Sequence, residues 1–301
     1  MKLRLQGCIT ALVSPFRRGR LDIAGLKRNV SFQIRNRVSG LLVAGSTGES
    51  PNLTESEWER LLATVREQAG SKVVVIAGAG TNSTSKSVRQ VRRAERLSAD
   101  AVLVVAPYYN KPSQEGLYRH FRTIAEATAL PIIVYNIPPR SVVNILPATI
   151  ERLAQDCDNI VAVKEASGSL DQCSEIIGRC GDRITVLSGD DSLTLPILSV
   201  GGKGVISVAS NIVPLDIVKL IEYYSSGKIE LAQGLHRKLF PLIKVLFIEA
   251  NPTPVKAAMN LLGMAAGEPR LPLVPPTSEH QELIRQALID YGLPVGKTKG
   301  G

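Results

Sequence analysis

The chain has 301 residues, enough for one large domain or two ordinary ones. It is 44% hydrophobic and 21% charged, as a globular protein is, and no apolar run reaches the roughly 18 residues that crossing a membrane requires. The formal net charge of +9 is spread in short clusters without interleaved aromatics, Arg17-Arg18-Gly19-Arg20 and Arg92-Arg93, which argues against nucleic acid and suits an anionic substrate or plain solubility.

Met1 to Gly7 leads straight into a strand-like run without a signal-peptide layout, so a cytoplasmic protein is expected. From there the chain alternates short apolar runs with helical stretches. The strands expected are Gly7 to Val13, Leu41 to Gly45, Val73 to Ala77, Ala101 to Ala106, Ile132 to Tyr135, Ile160 to Lys164, Ile184 to Ser188 and Gly204 to Val208. They are rich in Val and Ile and nearly unbroken, as parallel strands buried on both faces are. Thr54 with Glu57 three residues on reads as a capping box opening a helix. Further helices are expected after Asn82-Ser83-Thr84-Ser85 and near Ser113. Eight strands in about 220 residues, each followed by a helix, match the size of a (β/α)8 barrel over residues 1–226. A doubly wound open sheet fits the same alternation. Residues 227–301 read as a helical C-terminal extension, with helices over Lys228 to Ile248, Pro254 to Leu262 and Ser278 to Tyr291, and the tail from Gly296 to Gly301 is expected to fray.

In such a barrel the reactive groups gather where strands end. The second strand ends in Gly45-Ser46-Thr47-Gly48-Glu49, a glycine-flanked hydroxyl pair able to meet a carboxylate. The fourth leads to Pro107-Tyr108-Tyr109-Asn110-Lys111-Pro112, a stiff aromatic loop. The fifth ends at Tyr135 and is followed by Asn136-Ile137-Pro138-Pro139-Arg140, whose arginine suits a carboxylate. The sixth ends at Lys164. A lysine at the end of a buried strand is costly unless it is paired, for instance with Glu165, or neutral through a lowered pKa. In the second case it is an amine nucleophile for a carbonyl. The seventh and eighth strands lead to Ser188-Gly189-Asp190-Asp191 and Ser207. Cys8, Cys157, Cys173 and Cys180 lack metal-ligand spacing, and His120, His236 and His280 lie far apart, so no metal and no other cofactor is expected. Amine, phenols, hydroxyls and arginine together suit imine chemistry on a 2-oxo acid.

Several segments carry a resemblance: Gly45 to Glu49, Pro107 to Pro112, Tyr135-Asn136-Ile137-Pro138, Val163-Lys164-Glu165-Ala166-Ser167-Gly168 and Leu187-Ser188-Gly189-Asp190-Asp191. To these add Gly201 to Val208 and Asn251-Pro252-Thr253-Pro254-Val255-Lys256. In this order and spacing the chain resembles the pyruvate-dependent class I aldolase superfamily, end to end from Gly7 to about Leu262, and within it the dihydrodipicolinate synthase branch. The resemblance implies a (β/α)8 barrel and condensation of pyruvate with L-aspartate 4-semialdehyde through a covalent lysine imine, the committed step of diaminopimelate and lysine biosynthesis. It implies Lys164 as the imine lysine and Tyr135 as its proton relay. Tyr109 would complete the relay from a neighbouring subunit, Ser46 would link the two phenols and Thr47 would hold the pyruvate carboxylate. Arg140 would bind the carboxylate of the semialdehyde, and Gly189 and Ile206 would line the pyruvate pocket. A homotetramer built as a dimer of dimers is implied, with at least a dimer needed for Tyr109 to act. A related lyase acting on N-acetylneuraminate or a 2-keto-3-deoxy sugar acid is the alternative. Two departures stand out. Serine replaces the branch's usual threonine at Ser46. Where lysine-inhibited relatives bind their effector, this chain has Glu55, Trp58 and Lys86 while keeping Asn82 and Tyr108, so weak or absent feedback by L-lysine is expected because Lys86 repels the effector's ammonium.

Overall fold

The computed structural model describes residues 5–296. Eight strands, Gly7–Ala11, Gly40–Val43, Val74–Gly78, Ala101–Val105, Ile132–Asn136, Ile160–Glu165, Thr185–Ser188 and Gly204–Ser207, form one closed parallel barrel. The first strand pairs with both the second (Ile9 opposite Gly40) and the eighth (Gly7 opposite Gly204), and that closure excludes an open sheet. Gly204 is needed at the seam, because a Cβ there would stand 2.1 Å from the carbonyl oxygen of Gly7.

Period-two alternation along each strand splits the apolar residues into two layers. One set, including Ile9, Leu42, Ile76, Leu103, Ile133, Tyr135, Ala162, Leu187 and Ile206, fills the barrel interior. The other, including Val43, Val75, Val102, Val134, Val163 and Val186, packs outward against the helices. Ala162 points inward and Val163 outward, so Lys164, two residues after Ala162, points inward at the strand's C-terminal end. An irregularity between Ile132 and Ile133 skips Val161 and brings Tyr135 directly opposite Lys164.

The expected capping box is present. The Thr54 hydroxyl accepts from the Glu57 amide at 3.2 Å and the Glu57 carboxylate accepts from the Thr54 amide at 3.0 Å, opening helix Glu55–Ala69. The helix expected after Asn82 is Thr84–Arg96, and the Ser113 hydroxyl caps Gln114–Ala125. The basic cluster at Arg17 to Arg20 is the turn of a small hairpin, Phe16–Arg17 with Arg20–Leu21, an element outside the expected set. Arg18 and Gly19 both take positive φ there (51° and 74°), as tight hairpins require.

After Pro214–Ser225, which completes the helical ring, the extension contributes helices Ile229–Val245, Thr253–Leu261 and Ser278–Tyr291. Leu239, Leu242, Val255, Met259, Ile284 and Leu288 belong to the same apolar core as the barrel's outer layer, so the extension shares its core with the barrel. Lys297 to Gly301, where fraying was expected, lie outside the described residues. No helix among the described residues is long and apolar enough to cross a membrane.

Candidate active site

Lys164 is 5% exposed, and its Nζ lies 4.2 Å from the centre of the Tyr135 ring. Burial lowers its pKa to about 7; the negative Asp191 opposes the shift and the positive Arg140 reinforces it. The alternative of a lysine neutralised by Glu165 fails. The Glu165 carboxylate faces the other side of the strand and accepts from Asn136 Nδ2 (3.0 and 3.2 Å), the Ser167 amide (2.7 Å) and Gln172 Nε2 (2.9 Å). Burial raises the Tyr135 phenol to about 12, with Arg140 and the Ser46 hydroxyl pulling it down. At neutral pH a large share of the lysine is therefore free amine, while the phenol keeps its proton.

The loop after the second strand holds the hydroxyl pair between two residues in the left-handed region, Ala44 and Glu49 (both φ 54°). Ser46 lines a cleft of about 390 Å3 together with Gly45, Tyr108, Tyr135, Ile137, Arg140 and Asn251. Thr47 is buried, and its hydroxyl oxygen accepts from Asn251 Nδ2 at 3.0 Å. With its lone pair so engaged, the Thr47 O–H proton is left to donate elsewhere. Arg140, on the short helix Pro138–Ser141, donates through Nη2 to the Asn251 carbonyl at 2.9 Å and projects at the cleft edge.

The structure thus brings Ser46, Thr47, Tyr135, Arg140 and Lys164 to one end of the barrel. Lys164 adjoins the cleft through Tyr135 and does not itself line it. Ile206 is buried in the barrel interior, and the Gly189 amide donates to the Glu165 carbonyl at 2.7 Å beside Lys164. A Cβ on Gly189 would meet that of Ala166 at 2.6 Å, so glycine lets the sixth and seventh strand ends close up. Tyr109 stands apart: it is 86% exposed with φ 74° and does not line this cleft, whereas Tyr108 does.

Three contributors went unassigned in the sequence. Asp191 is buried and accepts from the Ser207 hydroxyl and from the amides of Val208 (2.8 Å) and Ala209 (3.1 Å), tying the seventh strand end to the eighth. Asn251 joins Thr47 to Arg140. Lys256 pairs with Glu49 at 2.6 Å with both side chains buried. The motif around Asn251 and Lys256 was visible, but nothing local in it indicates a partner some two hundred residues away. The four cysteines are free and buried. Among the described residues no group of three or more His, Cys, Asp or Glu is placed to hold a metal ion. His120 sits away from the cleft, with Nδ1 at 2.9 Å from the Thr84 hydroxyl, and burial lowers its pKa to about 4.

Relatives of known identity share this arrangement of sequence and fold. The chain is 48% identical over 288 residues to the 4-hydroxy-tetrahydrodipicolinate synthase of Methanocaldococcus jannaschii, covering 96% of this chain and 99% of that one. It superposes on the dihydrodipicolinate synthase of Thermotoga maritima with a TM-score of 0.94 at 48% identity, covering 96% and 99% of the two chains. The Aquifex aeolicus dihydrodipicolinate synthase gives a TM-score of 0.95 at 45% identity, covering 97% and 100%. The family model described as "Dihydrodipicolinate synthetase family" matches residues 4–290. A closed barrel with a buried, readily discharged lysine against a tyrosine, matched over nearly its whole length by these proteins, belongs to the dihydrodipicolinate synthetase family and is a lyase of the class I aldolase type.

Proposed function

We propose that this chain condenses pyruvate with L-aspartate 4-semialdehyde, as a 4-hydroxy-tetrahydrodipicolinate synthase, using Lys164 as nucleophile. The observation that carries the proposal is Lys164, buried, directed into the barrel mouth and packed on the Tyr135 ring. Free amine adds to the pyruvate ketone, and the resulting carbinolamine loses water to give the imine. The protonated Tyr135 phenol supplies the proton that the departing oxygen needs, and Ser46 passes protons between Tyr135 and a second phenol, Tyr109 of a neighbouring subunit. Thr47 donates to the pyruvate carboxylate, while the backbone at Gly189 and Ile206 bounds the small keto acid. The Tyr135 phenolate takes back a methyl proton to give the enamine, whose carbon bonds to the aldehyde carbon while the relay returns a proton to the aldehyde oxygen, making it the hydroxyl. The semialdehyde's own amine then replaces Lys164 on the imine carbon, closing a six-membered ring and freeing the lysine. Arg140 holds the semialdehyde carboxylate. No metal or other cofactor enters these steps.

The test is pyruvate consumption with L-aspartate 4-semialdehyde, beside cleavage of sialic acid and keto-deoxy sugar acids. Turnover of the semialdehyde is expected, falling at least about 1,000-fold in Lys164→Ala. Borohydride with pyruvate is expected to add mass to the wild type and none to that variant. Sugar-acid cleavage without semialdehyde turnover would overturn the assignment.

Weak or absent inhibition by L-lysine belongs to the same proposal. A second cleft, of about 260 Å3, is lined by Glu55, Trp58, Lys86, Arg89 and Arg93. Trp58 is buried and its Nε1 donates to the Gly78 carbonyl at 2.9 Å, while Glu55 is drawn to Arg93 at 3.0 Å. A cationic effector would meet Lys86 and Arg89 with the neighbouring carboxylate already engaged. Activity is expected to hold in millimolar L-lysine; a low-micromolar inhibition midpoint would refute this.

A further inference from the structure

The loop that carries Ser46 and Thr47 is fastened to the C-terminal extension at two points along one stretch of chain. Asn251 meets Thr47, and Lys256, on helix Thr253–Leu261, meets Glu49. The second contact is the more isolated from water. Lys256 is 1% exposed and Glu49 2%; Nζ donates to Glu49 Oε1 at 2.6 Å and to the Glu268 carbonyl at 3.2 Å, and lies 4.4 Å from the centre of the Phe16 ring. The other Glu49 oxygen accepts from the Arg270 amide at 2.8 Å. Glu49 has φ 54°, a conformation an ordinary side chain adopts only when its surroundings hold it there. Ala44 on the other flank of the hydroxyl pair has the same φ. Released, the loop would relax toward commoner dihedrals and carry both hydroxyls with it. Glu49 borders the cleft, but its carboxylate and the Lys256 ammonium are both buried away from it.

We infer that the buried Glu49–Lys256 pair is a positioning device: it holds the left-handed turn that aims the Ser46 and Thr47 hydroxyls, and so sets the affinity of the keto-acid site. The inference rests on the proposed pyruvate chemistry. Removing one partner alone would strand a buried charge, so the informative variant removes both charges together, Glu49→Gln with Lys256→Met. Its expected signature is a folded protein whose KM for pyruvate rises about tenfold or more, with kcat within about threefold of wild type. Borohydride trapping at saturating pyruvate should still label Lys164. As a control, Tyr291→Phe removes the hydroxyl that donates to the Asp216 carboxylate, which fastens helix Ser278–Tyr291 of the same extension to helix Pro214–Ser225 without touching Glu49 or Lys256. It should lower the melting temperature and leave the pyruvate KM unchanged.

An unchanged pyruvate KM in the folded double variant, or an equal KM rise in the Tyr291→Phe control, overturns the inference. If the double variant does not fold, Glu49→Asp, which keeps the opposite charge but shortens its reach to Lys256, is read by the same KM. If that variant also fails to fold, the pair is structural and the positioning role is wrong. Absence of any borohydride-trapped pyruvate on the wild-type protein would instead remove the underlying chemistry, an outcome distinct from all of these.

Discussion

The proposed role of Lys164 as nucleophile rests on where it is buried. With a pKa lowered to about 7, the amine is mostly protonated below that pH and mostly free above it. The kcat/KM for pyruvate should therefore fall roughly tenfold per unit well below pH 7 and flatten above about pH 8. A solvent-exposed lysine would keep gaining activity toward pH 10, and such a profile would refute the assignment. Asp191 acts in the opposite sense, favouring the ammonium. Asp191→Asn should move the acidic limb of the profile to lower pH. It should also cost about 1–3 kcal/mol in denaturant unfolding, because an amide NH2 replaces one of the oxygens that accept from Val208, Ala209 and Ser207. The lysine was legible in sequence because an ammonium closing an apolar run is locally anomalous. Asp191 was not, because a carboxylate after a strand looks like any polar turn until the amides it collects are seen.

At the scale of elements, local pattern reads well wherever the determinant is itself local. All eight barrel strands stand within about two residues of their expected limits, since each is an apolar run bounded by polar or glycine residues. Helix Ser278–Tyr291 matches its expected limits, with the Thr277 hydroxyl as its cap. The capping box at Thr54 also lay in plain spacing, and Thr54→Ala should cost about 1 kcal/mol, measurable as a lower unfolding midpoint without loss of kcat. Reading fails where an element's meaning depends on a distant partner. The basic run at Arg17 to Arg20 resembled a charge cluster and is a hairpin turn, whose Phe16 ring lies beneath Lys256 and Arg270 at 4.4 and 4.0 Å. No periodicity within so short a hairpin could have revealed it.

At the scale of the molecule, the sequence's division into barrel and extension is incomplete as a description, because Asn251 and Lys256 complete a loop of the second strand. The exposed Tyr109 gives the proposed assembly a direct test. If it serves a neighbour's site, subunits carrying Lys164→Ala and subunits carrying Tyr109→Phe, each nearly inactive alone, should regain about a quarter of wild-type activity when unfolded and refolded together. Half of the randomly assorted dimers are mixed, and each mixed dimer holds one intact site. No regain would show that the phenol works within its own chain or not at all. The seam of the barrel has one more consequence, and it concerns time. The strand made first, at Gly7, finds one of its two partners only at Gly204. At a synthesis rate of about 5–20 residues per second, that edge waits roughly 10–40 seconds on the ribosome with its amides unpaired. The fastening at Lys256 follows later still, so nascent chains of this protein are expected to need shelter for most of their translation, and chains stalled before residue 204 should aggregate where released full-length chains should not.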